Sequence, residues 1–158
     1  MSAGPRQGYP VHPVTVATYI PANADTVFAF VADTRNDPVW CPNVTDVTQT
    51  AGEGVEKGSA FRFRQAVETP GRTLQSEVDI EIVEIGDRSI RWRVEDKFQL
   101  RDIVVGVTPD GTGSRVTQTT EAAFKRRPGI AKWFYPLLAR RTFRDQFSRL
   151  ERHFSSGG

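Results

Sequence analysis

Few side chains in this sequence are suited to nucleophilic or metal chemistry. Cys41, between Trp40 and Pro42, is the single cysteine, and His12 and His153 lie near opposite ends of the sequence. A catalytic thiolate needs a base beside it, and none is close to Cys41 in sequence. A zinc site needs several His and Cys ligands. We therefore expect no metal and no cofactor, and we interpret Cys41 as a small buried apolar residue.

Five polar residues are candidates for contacting a ligand inside the fold: Arg64, Asp102, Gln118, Thr120 and Tyr135. A buried polar side chain needs a hydrogen-bond partner, which a ligand can supply. The alternative is that each lies at the surface or in a structural hydrogen bond. Arg64 has the opposite strand parity to Phe63, so it would point inward only at a bulge. No pair forms a clear acid–base dyad, and the catalytic residue of any enzyme here is left unassigned.

The positive charge of the chain is concentrated near its C-terminus. Residues 125–158 contain nine Lys or Arg and two Asp or Glu, whereas residues 1–124 contain twelve and seventeen. We expect the face with Arg140, Arg141 and Arg144 to be solvated, the alternative being transient contact with an anionic membrane or an acidic partner. Nucleic acid is not expected, because these charges form one helical face on a chain of net charge +2.

Length and composition are typical of one soluble globular domain, with 158 residues, 38% hydrophobic and 25% charged. No segment approaches the roughly 20 apolar residues of a membrane span, and the N-terminus lacks an apolar signal segment. We therefore expect a cytoplasmic location and no stable membrane insertion. The expected organisation is a disordered leader (1–10), one domain (11–154) and a disordered tail (155–158). A monomer and a homodimer both remain open.

Alternation of apolar and polar residues predicts seven strands, at about 14–20, 44–50, 61–64, 74–82, 90–94, 98–107 and 114–124. Asn23 can cap a helix between the first two strands, and Asp25 in its first turn suits the helix dipole. A change of apolar phase near Asp102 and Ile103 predicts a bulge. Six consecutive strands joined by short turns favour an antiparallel meander.

From Ile130 onward the apolar period becomes helical, with one stripe formed by Phe143, Phe147, Leu150 and Phe154. Leu137 and Leu138 lie off this stripe, directly after Pro136. Proline inside a helix bends it, whereas proline in a first turn starts one, so we expect a bend or a fresh start there. The front half of the helix is predicted to be a lid over a cavity, the alternatives being a dimer contact or ordinary packing.

In their order along the chain, several segments resemble the START-like superfamily, also called the polyketide cyclase/dehydrase and lipid-transport group. The resemblance covers about Val14 to Phe154 and is carried by Ile20-Pro21-Ala22-Asn23, Val27-Phe28, Val31-Ala32-Asp33, Trp40-Cys41-Pro42, Asp110-Gly111-Thr112 and Pro136-Leu137-Leu138. It implies an α+β helix-grip fold: a curved antiparallel sheet of about seven strands around a long C-terminal helix. One or two short helices are expected between strands 1 and 2, with a deep cavity between sheet and terminal helix.

The resemblance also implies binding of lipids, sterols, polyketides, hormones or quinones, and some members are aromatases or cyclases. Our first hypothesis is a non-enzymatic binder of a small hydrophobic ligand. The alternatives are a cyclase, aromatase or dehydratase, and a stress or toxin–antitoxin interaction module that uses the basic helix. For most of the candidate binding residues the alternative is plain core packing. These candidates are Trp40, Phe61, Phe63, Val78, Ile80, Trp92, Val94, Leu100, Gln118, Thr120, Phe134, Tyr135 and Leu138.

Overall fold

The structure, a computed structural model, describes residues 8–69 and 71–156. Within these residues eight strands form one antiparallel sheet in the order β1-β8-β7-β6-β5-β4-β3, and β2 also pairs with β8. This meander confirms the predicted sheet and adds one short strand to it. The strands are β1 (Tyr9–Pro10), β2 (Val14–Ile20), β3 (Val44–Ala51), β4 (Ala60–Thr69), β5 (Arg72–Ile85), β6 (Ser89–Glu95), β7 (Gln99–Asp110) and β8 (Gly113–Phe124).

The helical segments complete the predicted helix-grip fold. Helix α1 (Ala24–Ala32), a 3-10 turn (Thr34–Asn36) and helix α2 (Asp37–Trp40) connect β2 to β3, and helix α3 (Ala131–Ser156) follows β8. The Asn23 side chain accepts hydrogen bonds from the Asp25 and Thr26 backbone N–H groups at 2.9 and 3.4 Å. This arrangement confirms the predicted cap, which satisfies N–H groups that have no partner within the helix.

Strand alternation separates an apolar inner face from a charged outer face. On the neighbouring strands β4 and β5, Phe61 and Ile80 are paired in register and both are buried. One position further along, Arg62 and Asp79 are paired on the outer face, with Nε and Oδ1 2.8 Å apart. An exposed ion pair of this kind contributes at most about 1 kcal/mol. Burial of the apolar side chains therefore fixes the register of each strand, because a shift of one residue would turn these side chains toward solvent.

Helix α3 covers part of the inner face of the sheet and packs against β2 and α2. Its buried stripe contains Phe143, Phe147 and Leu150, as the helical period predicts. The ring of Phe147 stacks on that of Trp40 with a centroid separation of 6.4 Å. This contact joins α3 to the short helix α2, so both helices are positioned by one aromatic pair.

The predicted bulge at Asp102 and Ile103 is wrong. Strand β7 pairs with β6 and β8 without a register shift at these residues. The alternation of apolar and polar residues changes there because an apolar residue, Leu100, lies on the outer face of β7. It is paired with the exposed Glu95. Register shifts do occur elsewhere, between Ile82 and Glu84 in β5 and twice in β3, where Asp46 adopts a φ of 53° at the first of them.

Paired backbone is found on both sides of the predicted domain boundaries. Tyr9 and Pro10, at the end of the predicted leader, pair with Phe124 and Ala123 of β8. At the other end, the last two described residues belong to α3, and their hydroxyl groups donate to the Glu151 and Arg152 carbonyls. The remaining parts of the predicted leader and tail, residues 1–7 and 157–158, lie outside the described residues.

Helix α3 begins at Ala131 and runs through Pro136, so the predicted fresh start at the proline is wrong. Proline has no N–H to donate to the carbonyl four residues earlier, here that of Lys132. The missing bond falls near the start of the helix, where several backbone N–H groups already lack an intrahelical acceptor. Packing of the later turns therefore maintains one continuous helix.

Docking of α3 can be tested by replacing Leu150, which has no exposed surface. Leu150→Ala is expected to lower the free energy of unfolding by about 2–5 kcal/mol, because it removes apolar contacts and leaves a cavity. Urea denaturation followed by circular dichroism measures this change. Arg149→Ala, an exposed neighbour on the same helix, is the control and is expected to change stability by less than about 1 kcal/mol. Equal effects of the two substitutions would contradict the packing described here.

Candidate functional site

A cavity lies between the inner face of the sheet and helices α2 and α3, with a volume of about 80 Å³. Four aromatic side chains form much of its wall: Trp40 from α2, Phe63 from β4, Trp92 from β6 and Phe143 from α3. The wall is completed by aliphatic residues of the central strands, among them Ile80, Val94 and Ile103. The cavity forms where α3 crosses the sheet, because a helix cannot follow the curved surface of the sheet at every point.

Polar side chains also reach this cavity. Asp37 and Arg101 line it together with three glutamines, Gln65, Gln118 and Gln146. Arg101 is paired in register with Val94, so the two side chains share the inner face of the sheet. The Arg101 side chain is only 12% exposed, and it lies near the anionic Asp96, with Nη2 and Oδ2 3.9 Å apart. A guanidinium with so little water around it strongly favours an additional acceptor.

Three hydrogen-bond donors on the cavity wall have no partner in the protein. They are Nε1 of Trp40, Nε1 of Trp92 and Nε of Arg101. Both indole side chains are more than nine-tenths buried. Buried polar atoms in proteins almost always have a partner, and leaving one unpaired costs about 1–3 kcal/mol. Donors of this kind favour an occupant that brings oxygen acceptors.

Asp37 is the acidic group of the cavity. Burial raises the pKa of Asp37 well above its ordinary value, and the nearby charge of Asp33 raises it further. The indole of Trp40 opposes this shift by lowering the pKa, although its N–H makes no hydrogen bond within normal geometry. Asp33 itself is held ionised by Arg35, whose guanidinium makes two hydrogen bonds of 2.8 Å to it and lowers its pKa. Asp37 is therefore the carboxyl group suited to hold a proton inside the cavity.

Cys41 also lines the cavity and is buried. Burial raises the pKa of the Cys41 thiol well above its ordinary value, and the charge of Asp37 adds to this effect. The thiol is therefore protonated and a poor nucleophile at neutral pH. This agrees with the interpretation of Cys41 as a small apolar residue. Among the residues that the structure describes, no three His, Cys, Asp or Glu side chains come together as a candidate metal site.

Six of the thirteen predicted binding residues line the cavity: Trp40, Phe63, Ile80, Trp92, Val94 and Gln118. Phe61 and Val78 share the inner face but are completely buried in the core. Thr120 is 1% exposed and accepts a hydrogen bond from Gln118 at 3.5 Å. Leu100 is placed on the outer face of β7, away from the cavity.

The three predicted binding residues of α3 are also outside the cavity lining. Tyr135 packs edge-on against Phe124, with ring centroids 5.6 Å apart. Phe134 and Leu138 are exposed on the opposite side of the helix. The structure therefore does not form the predicted lid from these side chains. Phe143, two turns after Tyr135, is the aromatic residue of α3 that faces the cavity.

Two polar candidates from the sequence lie on the outer face of the sheet. Arg64 is exposed beside Asp46, with the charged atoms 3.7 Å apart. Asp102 is buried, and its carboxylate accepts a hydrogen bond from Arg93 at 3.3 Å. Arg101 was not among the sequence candidates, which included its neighbours Leu100 and Asp102 on β7. The pairing of β7 with β6 places Ile103 opposite Trp92, so the odd-numbered residues of β7 face the inside of the sheet. This register depends on β6 and cannot be deduced from the sequence of β7 alone.

Comparison with known proteins assigns the family. Residues 12–155 match the family model described as polyketide cyclase / dehydrase and lipid transport. The chain belongs to this family. The match covers nearly all of the described residues, from the segment before β2 to the end of α3. Among curated proteins, none matches the chain.

Solved structures show how widely this family's fold is shared. A START superfamily protein from Mycobacterium smegmatis superposes with a TM-score of 0.73 at 18% identity, covering 93% of this chain and 99% of the other. The protein TTHA0849 from Thermus thermophilus gives 0.69 at 19% identity, with the same coverage. Major latex-like protein 151 from Panax ginseng gives 0.65 at 18% identity, covering 91% of this chain and 97% of the other. At these identities the likeness establishes the fold alone.

The raised pKa of the Asp37 carboxyl group makes stability depend on pH. The folded-state pKa of Asp37 is raised, so the folded protein binds the proton more tightly than the unfolded chain does. This contribution to stability is present at low pH and is lost as pH rises from about 4 through the folded-state pKa. Asp37→Asn is therefore expected to raise the free energy of unfolding at pH 8 by about 1–3 kcal/mol.

Urea denaturation at a series of pH values measures this effect. The difference between Asp37→Asn and the unchanged protein should disappear below about pH 4, where the carboxyl group is protonated in both states. Asp87→Asn, in the exposed turn between β5 and β6, is the matched control and should show no such pH-dependent gain. A loss of stability at pH 8 in Asp37→Asn would contradict the assignment of a raised folded-state pKa to Asp37.

Proposed function

We propose that the protein binds a small, largely apolar molecule in the cavity between the sheet and α3. The observation that supports this proposal is the aromatic wall formed by Trp40, Phe63, Trp92 and Phe143. Pockets for small molecules are typically apolar with a few fixed polar groups, and this cavity has that composition. The matching family model, whose description includes lipid transport, is consistent with an apolar ligand.

The polar groups define the expected ligand more closely. The indole N–H groups and the Arg101 Nε–H all donate, and they have no acceptor in the protein. Asp37, whose pKa is raised by burial, also donates while it holds its proton. The ligand that complements this wall has oxygen acceptors, such as carbonyl or carboxylate groups, on an apolar framework.

The volume of the cavity sets a further condition. Pockets for drug-sized ligands measure about 300–1,000 Å³, well above the 80 Å³ of this cavity. A ligand larger than a single ring must therefore displace part of the wall. Phe143 is the aromatic wall residue supplied by α3, whereas Phe63 and Trp92 are fixed on central strands. We expect ligand binding to move α3 or the Phe143 ring rather than the sheet.

Two fluorescent probes that differ in one group test this proposal. Phenylnaphthylamine is apolar, and anilinonaphthalene sulfonate carries the same ring system with an anionic acceptor group. Phe63→Ala is expected to weaken binding of both probes because it changes the wall. Arg101→Met is expected to weaken the sulfonate probe by about 10- to 100-fold and to leave phenylnaphthylamine nearly unchanged. Fluorescence titration measures both affinities.

Arg115→Met is the control for this experiment, because Arg115 is exposed on β8 and paired with Asp110 at the surface. It should leave both probes unaffected. Unchanged binding of both probes in Phe63→Ala would contradict the assignment of the cavity. If Arg101→Met lowered the affinity for both probes equally, the cavity would remain the binding site. The proposed role of Arg101 in binding the acceptor group of the ligand would then be wrong. Native mass spectrometry of protein purified from cells then identifies the natural ligand.

A second candidate function is catalysis, and the position of Asp37 favours it. A carboxyl group with a raised pKa inside a largely apolar cavity is a candidate general acid or base. The proposed reaction class is cyclisation or dehydration of a poly-β-ketone, in which a proton moves to or from a carbonyl compound. Positioning of a flexible chain by the aromatic wall would supply much of the rate.

Catalysis by Asp37 predicts a specific effect of Asp37→Asn. Turnover of a poly-β-keto thioester, followed by mass spectrometry of the products, should fall by at least about 100-fold. Binding of the sulfonate probe should persist, because the amide preserves the shape of the wall. If the unchanged protein forms no more product than a buffer blank, the enzymatic hypothesis is excluded for this substrate class and the binding hypothesis stands alone.

A further inference from the structure

The first half of α3 has two apolar faces. Tyr135, Ala139 and Phe143 face the body of the protein and are half-buried or buried. Five large apolar side chains on the other side are 56–77% exposed, and we call them the outward patch: Ile130, Trp133, Phe134, Leu137 and Leu138. At 3.6 residues per turn, the four helical members span an arc of about 140°. The patch therefore points away from the domain that the helix covers.

Such an exposed cluster is unusual for this chain. Among the described residues, ten large hydrophobic side chains are exposed, and five of them belong to the outward patch. The second half of the same helix has polar residues at its exposed positions, such as Asp145 and Ser148. Single exposed apolar residues are common, but a contiguous cluster marks an interaction surface.

Positive charge surrounds the outward patch. Residues 125–144 contain seven Lys or Arg and no Asp or Glu. All seven are exposed, and Lys125 forms an ion pair with Glu95 at 2.7 Å. Arg126 and Arg127 precede the patch, and Arg140, Arg141 and Arg144 follow it. The partner of this surface must therefore be apolar at its centre and anionic around it.

A second copy of this chain does not meet that requirement. A symmetric contact would place the same patch of two copies face to face. The basic residues between 125 and 144 of one copy would then lie near those of the other, without an acidic residue in that segment to offset them. Like charges brought together in a desolvated contact repel each other.

An anionic lipid bilayer meets both requirements. Apolar side chains of a helix lying on a bilayer enter the boundary between head groups and acyl chains, and Lys and Arg side chains contact the phosphates. Tryptophan is favoured at this boundary, which suits Trp133 as the most exposed member of the outward patch. The patch is a convex helix surface, which a bilayer can accommodate without a matching groove.

We propose that the first half of α3 docks the protein on the surface of an anionic membrane, with the outward patch inserted at head-group depth. This is surface contact, since no described helix is long and apolar enough to cross a bilayer. The proposal rests on exposure and charge at α3, and it does not depend on the ligand proposed for the cavity.

Tryptophan fluorescence provides a direct test with the full chain. The protein contains three tryptophans, of which Trp40 and Trp92 are 4% and 5% exposed, whereas Trp133 is 77% exposed. Adding vesicles of phosphatidylcholine and phosphatidylglycerol should shift the emission to shorter wavelength and protect Trp133 from acrylamide quenching. Trp133→Phe should abolish the shift while the protein still sediments with the vesicles. Absence of both the shift and sedimentation would overturn the proposal.

Charge and apolar contact can be separated by two variants. Arg140→Gln with Arg141→Gln should weaken vesicle binding by roughly 30-fold, since each basic residue near an anionic surface contributes about a factor of five. Leu137→Ser with Leu138→Ser should weaken it at least as strongly. Because these four positions are exposed, circular dichroism is expected to show unchanged folding. The matched control is Arg62→Gln with Arg64→Gln, which removes two charges from the outer face of the sheet and should leave binding intact.

Each alternative partner has its own result. Equal binding to vesicles of pure phosphatidylcholine would overturn the anionic requirement. A dimer that dissociates in Leu137→Ser with Leu138→Ser, without vesicle binding, would assign the surface to a second copy. Binding to polyglutamate with no vesicle binding at any salt concentration would assign it to an acidic protein. Vesicle binding that weakens with salt and in both α3 variants supports the membrane.

Discussion

The structure depends on how one long helix covers a sheet with one apolar face. The meander leaves this face open, and α3 is the only long helix among the described residues that can bury it. The buried stripe of α3 and the stacking of Phe147 on Trp40 hold the helix in place. Burial of these aromatic and aliphatic side chains contributes most of the stabilisation, since each is worth roughly 1.5–3 kcal/mol. One helix cannot contact every part of the sheet surface, and the cavity is the space that remains. The same packing thus produces both the stability of the domain and its candidate site.

The polar groups of the cavity, unlike its apolar wall, do not stabilise the fold, because several of them lack a partner within the protein. Asp37 and Arg101 are opposite in charge and line one cavity, yet neither satisfies the other: burial dominates the pKa of Asp37, and the anion paired with Arg101 is Asp96. The two buried indole N–H groups add further unpaired donors. A domain optimised only for stability would fill this space with apolar side chains. Unpaired polar groups are tolerated where a ligand completes them, and for this reason the cavity is the strongest candidate site in the described part of the chain.

Helix α3 has a different surface in each of its two halves. Its second half has one apolar stripe and a polar exterior, as in any helix that covers a sheet. Its first half has apolar residues on both sides, although exposure of Trp133 and its neighbours to water is unfavourable. Both halves belong to one continuous helix that runs through Pro136, so the outward patch and the cavity residue Phe143 lie on the same element.

The sequence by itself determined the order of elements, the cap at Asn23, the strand faces of β4 to β6 and the buried stripe of α3. These features arise from local periodicity and from residues close in sequence, so their signals are present in short segments. It also identified the wall residues Phe63, Ile80 and Trp92, because strand alternation fixes which side chains share a face. Only the tertiary structure decided that Arg101 rather than Leu100 faces the cavity, since the register between β6 and β7 sets that phase. It likewise decided that Asp37 lines the cavity and that Phe134 and Leu138 are exposed. Burial and exposure at these positions depend on the direction in which α2 and α3 pack against residues far away in the sequence, and no local pattern contains that direction.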